Sequence, residues 1–304
     1  MQKQVILIQV CYIEPLDSSE NKKIIYILKK ILGVISVKKR NDSIELVIPR
    51  YNSIAEKLYN KKIYKNLIDI LYNNNVDAIV LAKVLKKDNI LKNVLYQENL
   101  NIINGRFLFE IIIIDCLEYI AKKQNKELNA LEITILINDI SQQILEQLMV
   151  IIEKVSSVHI VTNNVNRFYK FEEKIRDKFG IAIRISNNKR KSLASAKIII
   201  NWDFPEENIN QFKINTTAII LNVNSKVKIY TKLFEGIIVQ DYKFELNNHI
   251  ENSNFDEKDI YESIMIKQKN IFEARKKWKN DGGIITDLIG NNGKICEQEY
   301  MNFK

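Results

Sequence analysis

Leu131 to Gln147, LEITILINDISQQILEQ, is the stretch whose reading decides the fold. Ile133 to Ile137 is a near-continuous apolar run rich in β-branched residues, the pattern of a strand covered on both faces. It stops at Asn138-Asp139, and apolar residues recur at helical spacing from Ser141 onward. A strand, a short turn and a helix in that order open a doubly wound parallel sheet, in which ligands lie at the carboxyl ends of the strands. Sheets of this kind that bind dinucleotides use a glycine-rich turn, which lets the backbone approach a pyrophosphate at the helix N-terminus. Here Asn138, Ile140 and Gln143 stand roughly where those glycines fall, and Asp139 adds a carboxylate. Asp139 or Ser141 acting as an ordinary N-cap explains the same residues without any ligand.

Downstream the alternation continues. Ile144, Leu148, Ile151, Ile152 and Val155 form a helical stripe, followed by the strand Val158–Thr162 and a helix over Arg167–Phe179 that Gly180 closes. The strand Ile181–Ile185, a polar loop Ser186–Lys191, a short turn Ser192–Ala196 and the strands Lys197–Asn201, Ala218–Val223 and Gly236–Val239 complete a mostly parallel, Rossmann-like sheet. Upstream, Arg106 to about Lys123 predicts one long helix apolar on most sides, suited to link two domains. Before it, strands at Val5–Val10, Val34–Val37, Ile44–Ile48 and Val76–Ala82 alternate with helices. The first of these is capped at Ser18 or Ser19 and carries Ile24, Ile25, Leu28, Ile31 and Leu32. A last helix spans about Phe255 to Lys279, and a loosely held tail follows Gly282-Gly283. The expected organisation is an α/β substrate-type domain over 1–104, a connecting helix over 105–128, a Rossmann-like domain over 129–254, and a C-terminal helix and tail over 255–304.

Composition narrows the function classes. The 304 residues carry a formal charge of +9, which invites nucleic acid or an acidic membrane as a partner. The basic residues are interleaved with Glu and Asp, and the densest cluster is only Lys189-Arg190-Lys191, so both partners are disfavoured. Cys11, Cys116 and Cys296 are scattered, and His159 and His249 are the only histidines, so no metal is expected. The N-terminal apolar run is too short for a signal peptide, and Phe107–Cys116 is broken by Glu110 and Asp115. A cytoplasmic protein follows from these features.

At this point the order of elements resembles the shikimate dehydrogenase family and, more distantly, glutamyl-tRNA reductase. Val47-Ile48-Pro49-Arg50-Tyr51 resembles the family's V-T-I-P-H-K segment, with Tyr51 in place of the catalytic lysine. Ile103-Asn104-Gly105-Arg106 resembles its N-T-D-G stretch, with Asn104 in place of the catalytic aspartate. Thr162-Asn163-Asn164-Val165-Asn166-Arg167 is similar to the N-R-T segment that receives the 2′-phosphate of NADP, and Asn201-Trp202-Asp203-Phe204-Pro205 stands where the family has N-A-T-P.

The resemblance implies NADP or NAD as cofactor. Asn138, Asp139, Ser141, Asn163, Asn164, Arg167, Asn201 and Trp202 are the candidate cofactor-binding residues; Tyr51, Asn104 and Asp241 are the candidates for proton transfer. Because the phosphate-loop glycines and the catalytic pair are missing together, the favoured expectation is a non-catalytic or repurposed protein. It would bind a nucleotide or small molecule, or regulate, and could form a homo-oligomer. The alternative is an NADP-dependent oxidoreductase with a divergent phosphate loop.

Overall fold

The computed structural model describes residues 8–16, 32–40, 43–49, 57–180, 183–224, 226–230, 233–248, 250 and 252–301. The helix expected after Ser18, apart from Leu32, lies outside them, as does Tyr51. The chain divides into two compact units, one formed by Met1–Leu108 with Ile250–Lys269 and the other by Phe109–His249 with Asn270–Lys304.

In the first unit, β1 (Val10–Pro15), β2 (Ser36–Lys39), β3 (Ser43–Ile48), β4 (Ala78–Leu81) and β5 (Asn101–Ile102) form one sheet in the order β2-β3-β1-β4-β5. All pairings are parallel except β2 with β3. β4 is buried along its length and β1 and β3 in part, with Val10, Cys11, Ile13, Leu46, Ile79 and Leu81 fully enclosed, as expected for the centre of a mostly parallel sheet. Helix α1 (Lys57–Asn73) supplies Ile63, Leu67 and Leu71 to this core. Helix α2 (Asn89–Gln97) starts at Asp88, whose side chain accepts the N–H groups of Ile90 and Leu91 at 3.1 and 3.0 Å. The helix Glu257–Met265 returns to this unit, where Tyr12 and Ser263 share a hydroxyl hydrogen bond of 2.7 Å.

The expected single connecting helix is two, α3 (Arg106–Ile111) and α4 (Ile113–Lys123), broken at Ile112, where φ is −97° and ψ is 10°. Arg275 donates to the Ile111 carbonyl at the break, giving that acceptor a side-chain partner.

The second unit is built on six strands: β6 (Glu132–Leu136), β7 (Ser157–Val161), β8 (Arg184–Ser186), β9 (Ile198–Asn201), β10 (Ile219–Asn222) and β11 (Ile237–Val239). Their order is β11-β10-β9-β6-β7-β8, parallel throughout. This is the doubly wound Rossmann-like arrangement, and its strand order reverses between β6 and β9. Helices α5 (Gln142–Ile152) and α6 (Val165–Phe179) follow β6 and β7. Gly180 ends α6 in the left-handed conformation at φ 65°, which a glycine adopts without Cβ strain.

Two local expectations change. The polar loop read over Ser186–Lys191 and the turn after it largely form helix α7 (Lys189–Ser195), because the Asn188 side chain accepts the Lys191 N–H at 3.0 Å and caps it. The single C-terminal helix expected over about Phe255 to Lys279 is two, Glu257–Met265 and α9 (Ile271–Asn280), the second starting afresh at its N-cap Asn270; α8 (Glu206–Asn210) lies earlier, between β9 and β10. The tail is ordered: β12 (Asp241–Glu245), β13 (Ile284–Gly290) and β14 (Gly293–Lys294) make an antiparallel sheet, followed by α10 (Glu297–Met301). Trp278, Leu288 and Tyr300 are fully buried there, which explains why this segment holds.

Candidate functional site

The site is the carboxyl edge of the second unit's sheet, where β6 and β9 sit side by side at the reversal of strand order. β6 runs into Asn138 and Asp139, whose backbone N–H groups point at the position an anion would take. That position is filled from within the chain. The Asp203 carboxylate accepts the Asn138 N–H at 2.8 and 2.9 Å and the Asp139 N–H at 2.7 Å. Burial raises the Asp203 pKa, opposed by the two backbone donors. Ser141 caps α5, its hydroxyl accepting the Ile144 N–H at 3.2 Å, which selects one of the two N-cap candidates.

The neighbouring turn is closed in the same way. The Asn138 side-chain carbonyl accepts the Asn163 N–H at 2.8 Å, and the Asn164 side-chain amide donates to the Asn138 carbonyl at 3.2 Å. Asn201 and Asn222 face each other in register at the ends of β9 and β10, with Asn201 Nδ2 donating to Asn222 Oδ1 at 3.0 Å. Asn201 also accepts the Phe204 N–H at 3.0 Å and donates to the Phe204 carbonyl at 3.1 Å, fixing the turn that presents Trp202 and Asp203. Asn222 Nδ2 donates to Gln240 at 3.3 Å. Three buried amides, those of Asn201, Asn222 and Gln240, thus satisfy one another along the sheet edge.

Beside this edge lies a carboxyl group of another character. Glu110 on α3 is 8% exposed. Gln143 Nε2 donates to its Oε2 at 3.0 Å, and Gln147 Nε2 donates to its backbone carbonyl at 2.6 Å. Gln143 and Gln147 are one turn apart on α5, so a single helix face delivers both amides. The Trp202 indole N–H sits beside the carboxylate and favours its charge, although the two do not meet in hydrogen-bond geometry. Burial pushes the Glu110 carboxyl up to about 7, against the donors of Gln143, Trp202 and Asn224. Gln143 and Asn224 are themselves exposed, so the buried carboxyl lies one side chain from solvent. A carboxyl group poised near neutrality can take or give a proton without a large change in environment.

The residues singled out in the sequence fall into three groups. Asn138, Asp139, Asn163 and Asn164 are brought together around the first two βα turns, and Asn201 and Trp202 lie on the adjoining turn that supplies Asp203. Ser141 serves α5, and Arg167 is exposed in the first turn of α6. Among the proton-transfer candidates, Asn104 belongs to the first unit, where its side chain accepts the Arg106 N–H at 3.1 Å, and Asp241 begins β12 in the second, its side chain accepting the Tyr242 N–H at 2.9 Å. Glu110, Asp203, Gln143 and Gln147 are site residues that local sequence pattern does not mark as a set, since they meet only in the fold. For Glu110 a signal existed: a lone carboxylate inside the apolar run Phe107–Cys116 must be paired, protonated or functional. Among the described residues no cluster of His, Cys, Asp and Glu could hold a metal ion, and no helix is long and apolar enough to cross a membrane.

The fold defines a Rossmann-like α/β protein. No family model matches the chain, and no curated protein matches it. Among solved structures it is similar to an ornithine transcarbamoylase from Giardia lamblia, at 8% identity over 77% of this chain and 80% of that one, with a TM-score of 0.33. It is similar to an aspartate transcarbamoylase from Trypanosoma cruzi at 12% identity, 71% of each chain and a TM-score of 0.28. An L-tryptophan dehydrogenase from Nostoc punctiforme overlaps 92% of this chain and 84% of its own at 8% identity, with a TM-score of 0.32. Likeness this loose carries no activity across.

These findings correct the expected kinship with the shikimate dehydrogenase family, which no family model supports, while most of the similar solved structures are carbamoyltransferases. The reading as a non-catalytic nucleotide-binding or regulatory protein, and its alternative as an NADP-dependent oxidoreductase, are corrected with it. The physical reason is local: the Asp203 carboxylate already sits on the turn amides where an NAD(P) pyrophosphate would go, and Asn138 takes the next turn's N–H. What had looked like a degenerate active site is a set of satisfied polar contacts.

Proposed function

We propose that this protein is an enzyme of acid–base type, with Glu110 as the proton-transfer residue and a small polar molecule as substrate. The observation that carries this reading is a carboxyl group 8% exposed and poised near pH 7, next to exposed amide donors at the carboxyl edge of a Rossmann-like sheet. Gln143 and Asn224 orient the carboxyl and the substrate; Trp202 supplies an apolar wall with one N–H. The chemistry of the set suits proton removal from, or donation to, a carbon or nitrogen beside a carbonyl group.

The test is solvent exchange. The protein in deuterium oxide is offered pools of small keto acids, hydroxy acids, amino acids and amides, and deuterium incorporation is read by mass spectrometry. Incorporation that is lost in Glu110→Gln supports the reading. No incorporation in the native protein, or undiminished incorporation in the variant, removes it.

Two further expectations belong to the same proposal. Three free thiols, Cys11 and Cys116 buried and Cys296 exposed, support a reducing compartment such as the cytoplasm. Tyr230 and Leu233, 65% and 72% exposed, support self-association, which light scattering on the purified protein would measure.

A further inference from the structure

The opposite, amino-terminal edge of the same sheet carries a cavity of about 400 Å³, lined by Gln124, Lys126, Leu131, Glu132, Lys197 and Ile198. Its size falls in the range of small-molecule pockets. Leu131 and Ile198 are 3% and 4% exposed and make an apolar floor; Gln124, also 3% exposed, brings a buried amide to the wall. Ile133 pairs with Ile198 between β6 and β9, so the residues just before them, Glu132 and Lys197, emerge side by side at the strand starts. Lys126 arrives from the turn after α4.

The charge arrangement is the informative part. Among the described residues, neither Lys126, Lys197 nor Glu132 closes an ion pair, although Glu132 and Lys197 leave neighbouring strands. Two ammonium groups and one carboxylate on one rim, all unpaired over a partly apolar floor, match a ligand with two anionic groups and one cationic group. We infer that this cavity is a binding site for an acidic amino acid, with Lys126 and Lys197 reading its two carboxylates and Glu132 its ammonium group. The site lies at the other end of the strands from Glu110 and does not depend on the function proposed there.

Isothermal titration of the full chain with L-glutamate and L-aspartate tests the assignment, with glutarate and succinate as the same dicarboxylates lacking the ammonium group. The expected result is binding that weakens about fivefold on either Lys126→Gln or Lys197→Gln, the size of one partly exposed ion pair, and that falls further as salt is raised. Glu132→Gln is expected to abolish the preference for the amino acids over the plain dicarboxylates. No heat with any of the four compounds overturns the proposal, as does binding unchanged in the Lys126→Gln/Lys197→Gln double variant. Equal binding of glutarate and L-glutamate by the native protein overturns the assignment to an amino acid. Glu132 and Lys197 are exposed at the strand starts and Lys126 is half-buried in the turn after α4, so circular dichroism of each variant should match the native spectrum, and a lysine variant that fails this is replaced by Lys126→Met or Lys197→Met.

Discussion

The Asp203 carboxylate caps the turn that opens α5, holding the backbone N–H groups of Asn138 and Asp139 at 2.7 to 2.9 Å. It does for this turn what a bound anion does elsewhere. Asp203→Ala would leave two donors without a partner, at a cost of about 1–3 kcal/mol in unfolding free energy. Sulfate, compared with chloride at matched ionic strength, is expected to restore part of that loss in the variant and to have no such specific effect on the native protein. A variant as stable as the native protein would show that the carboxylate contributes nothing at this turn.

Glu110 makes stability depend on pH. Its carboxyl is raised from 4.5 to about 7 in the fold, so its contribution is fully present below pH 4.5 and is lost as pH rises through 7. Glu110→Gln mimics the protonated form at every pH. The variant should match the native protein near pH 4.5 and exceed it at pH 8 by on the order of 2–3 kcal/mol. Urea unfolding at the two pH values reads the difference, and a gap that does not widen with pH contradicts the assignment.

His159 slopes the other way. Burial, with Arg184 adding its charge, pushes this imidazole down from 6.5 to about 4, and its Nε2 lies 2.9 Å from the Ser186 hydroxyl. A depressed histidine contributes stability above pH 6.5 that is lost as pH falls through 4. His159→Asn should therefore lose less stability than the native protein over that interval, measured as the change in thermal midpoint between pH 7 and pH 4.

Asp115 joins α4 to α9. Its carboxylate accepts the Trp278 indole N–H at 3.2 Å, pairs with Arg275 at 3.3 Å and meets Lys279 at 2.5 Å. Arg275 is mostly buried, whereas Lys279 is half exposed and can turn to water. Asp115→Ala leaves the buried guanidinium charge without its carboxylate and takes the acceptor from the indole N–H, and should cost about 3–5 kcal/mol. Lys279→Ala should cost no more than about 1 kcal/mol, since that partner is solvated. Similar losses in both variants would mean that the guanidinium pair is not the dominant contact.

The division between what sequence and structure decide is visible in these residues. Local pattern determined the parallel strands, because β6, β9 and β10 are continuous apolar runs that cannot face water on either side. It also determined the end of α6 at Gly180 and narrowed the cap of α5 to Asp139 or Ser141, between which the structure selects Ser141. The carboxyl-terminal sheet β12-β13-β14 was not legible, since its strands are short, partly polar and paired across some forty intervening residues. Nor was the candidate site. Asp203 is 64 residues from the Asp139 amide it accepts, and Glu110 is 33 from the Gln143 that holds it. The missing glycines of Leu131–Gln147 were in plain view; that a carboxylate of the chain itself fills their place is a long-range fact. The sequence determined which segments form the sheet, through burial and spacing. Only the tertiary structure decided which charges meet at its two edges, because that depends on folding distant turns to within hydrogen-bond reach.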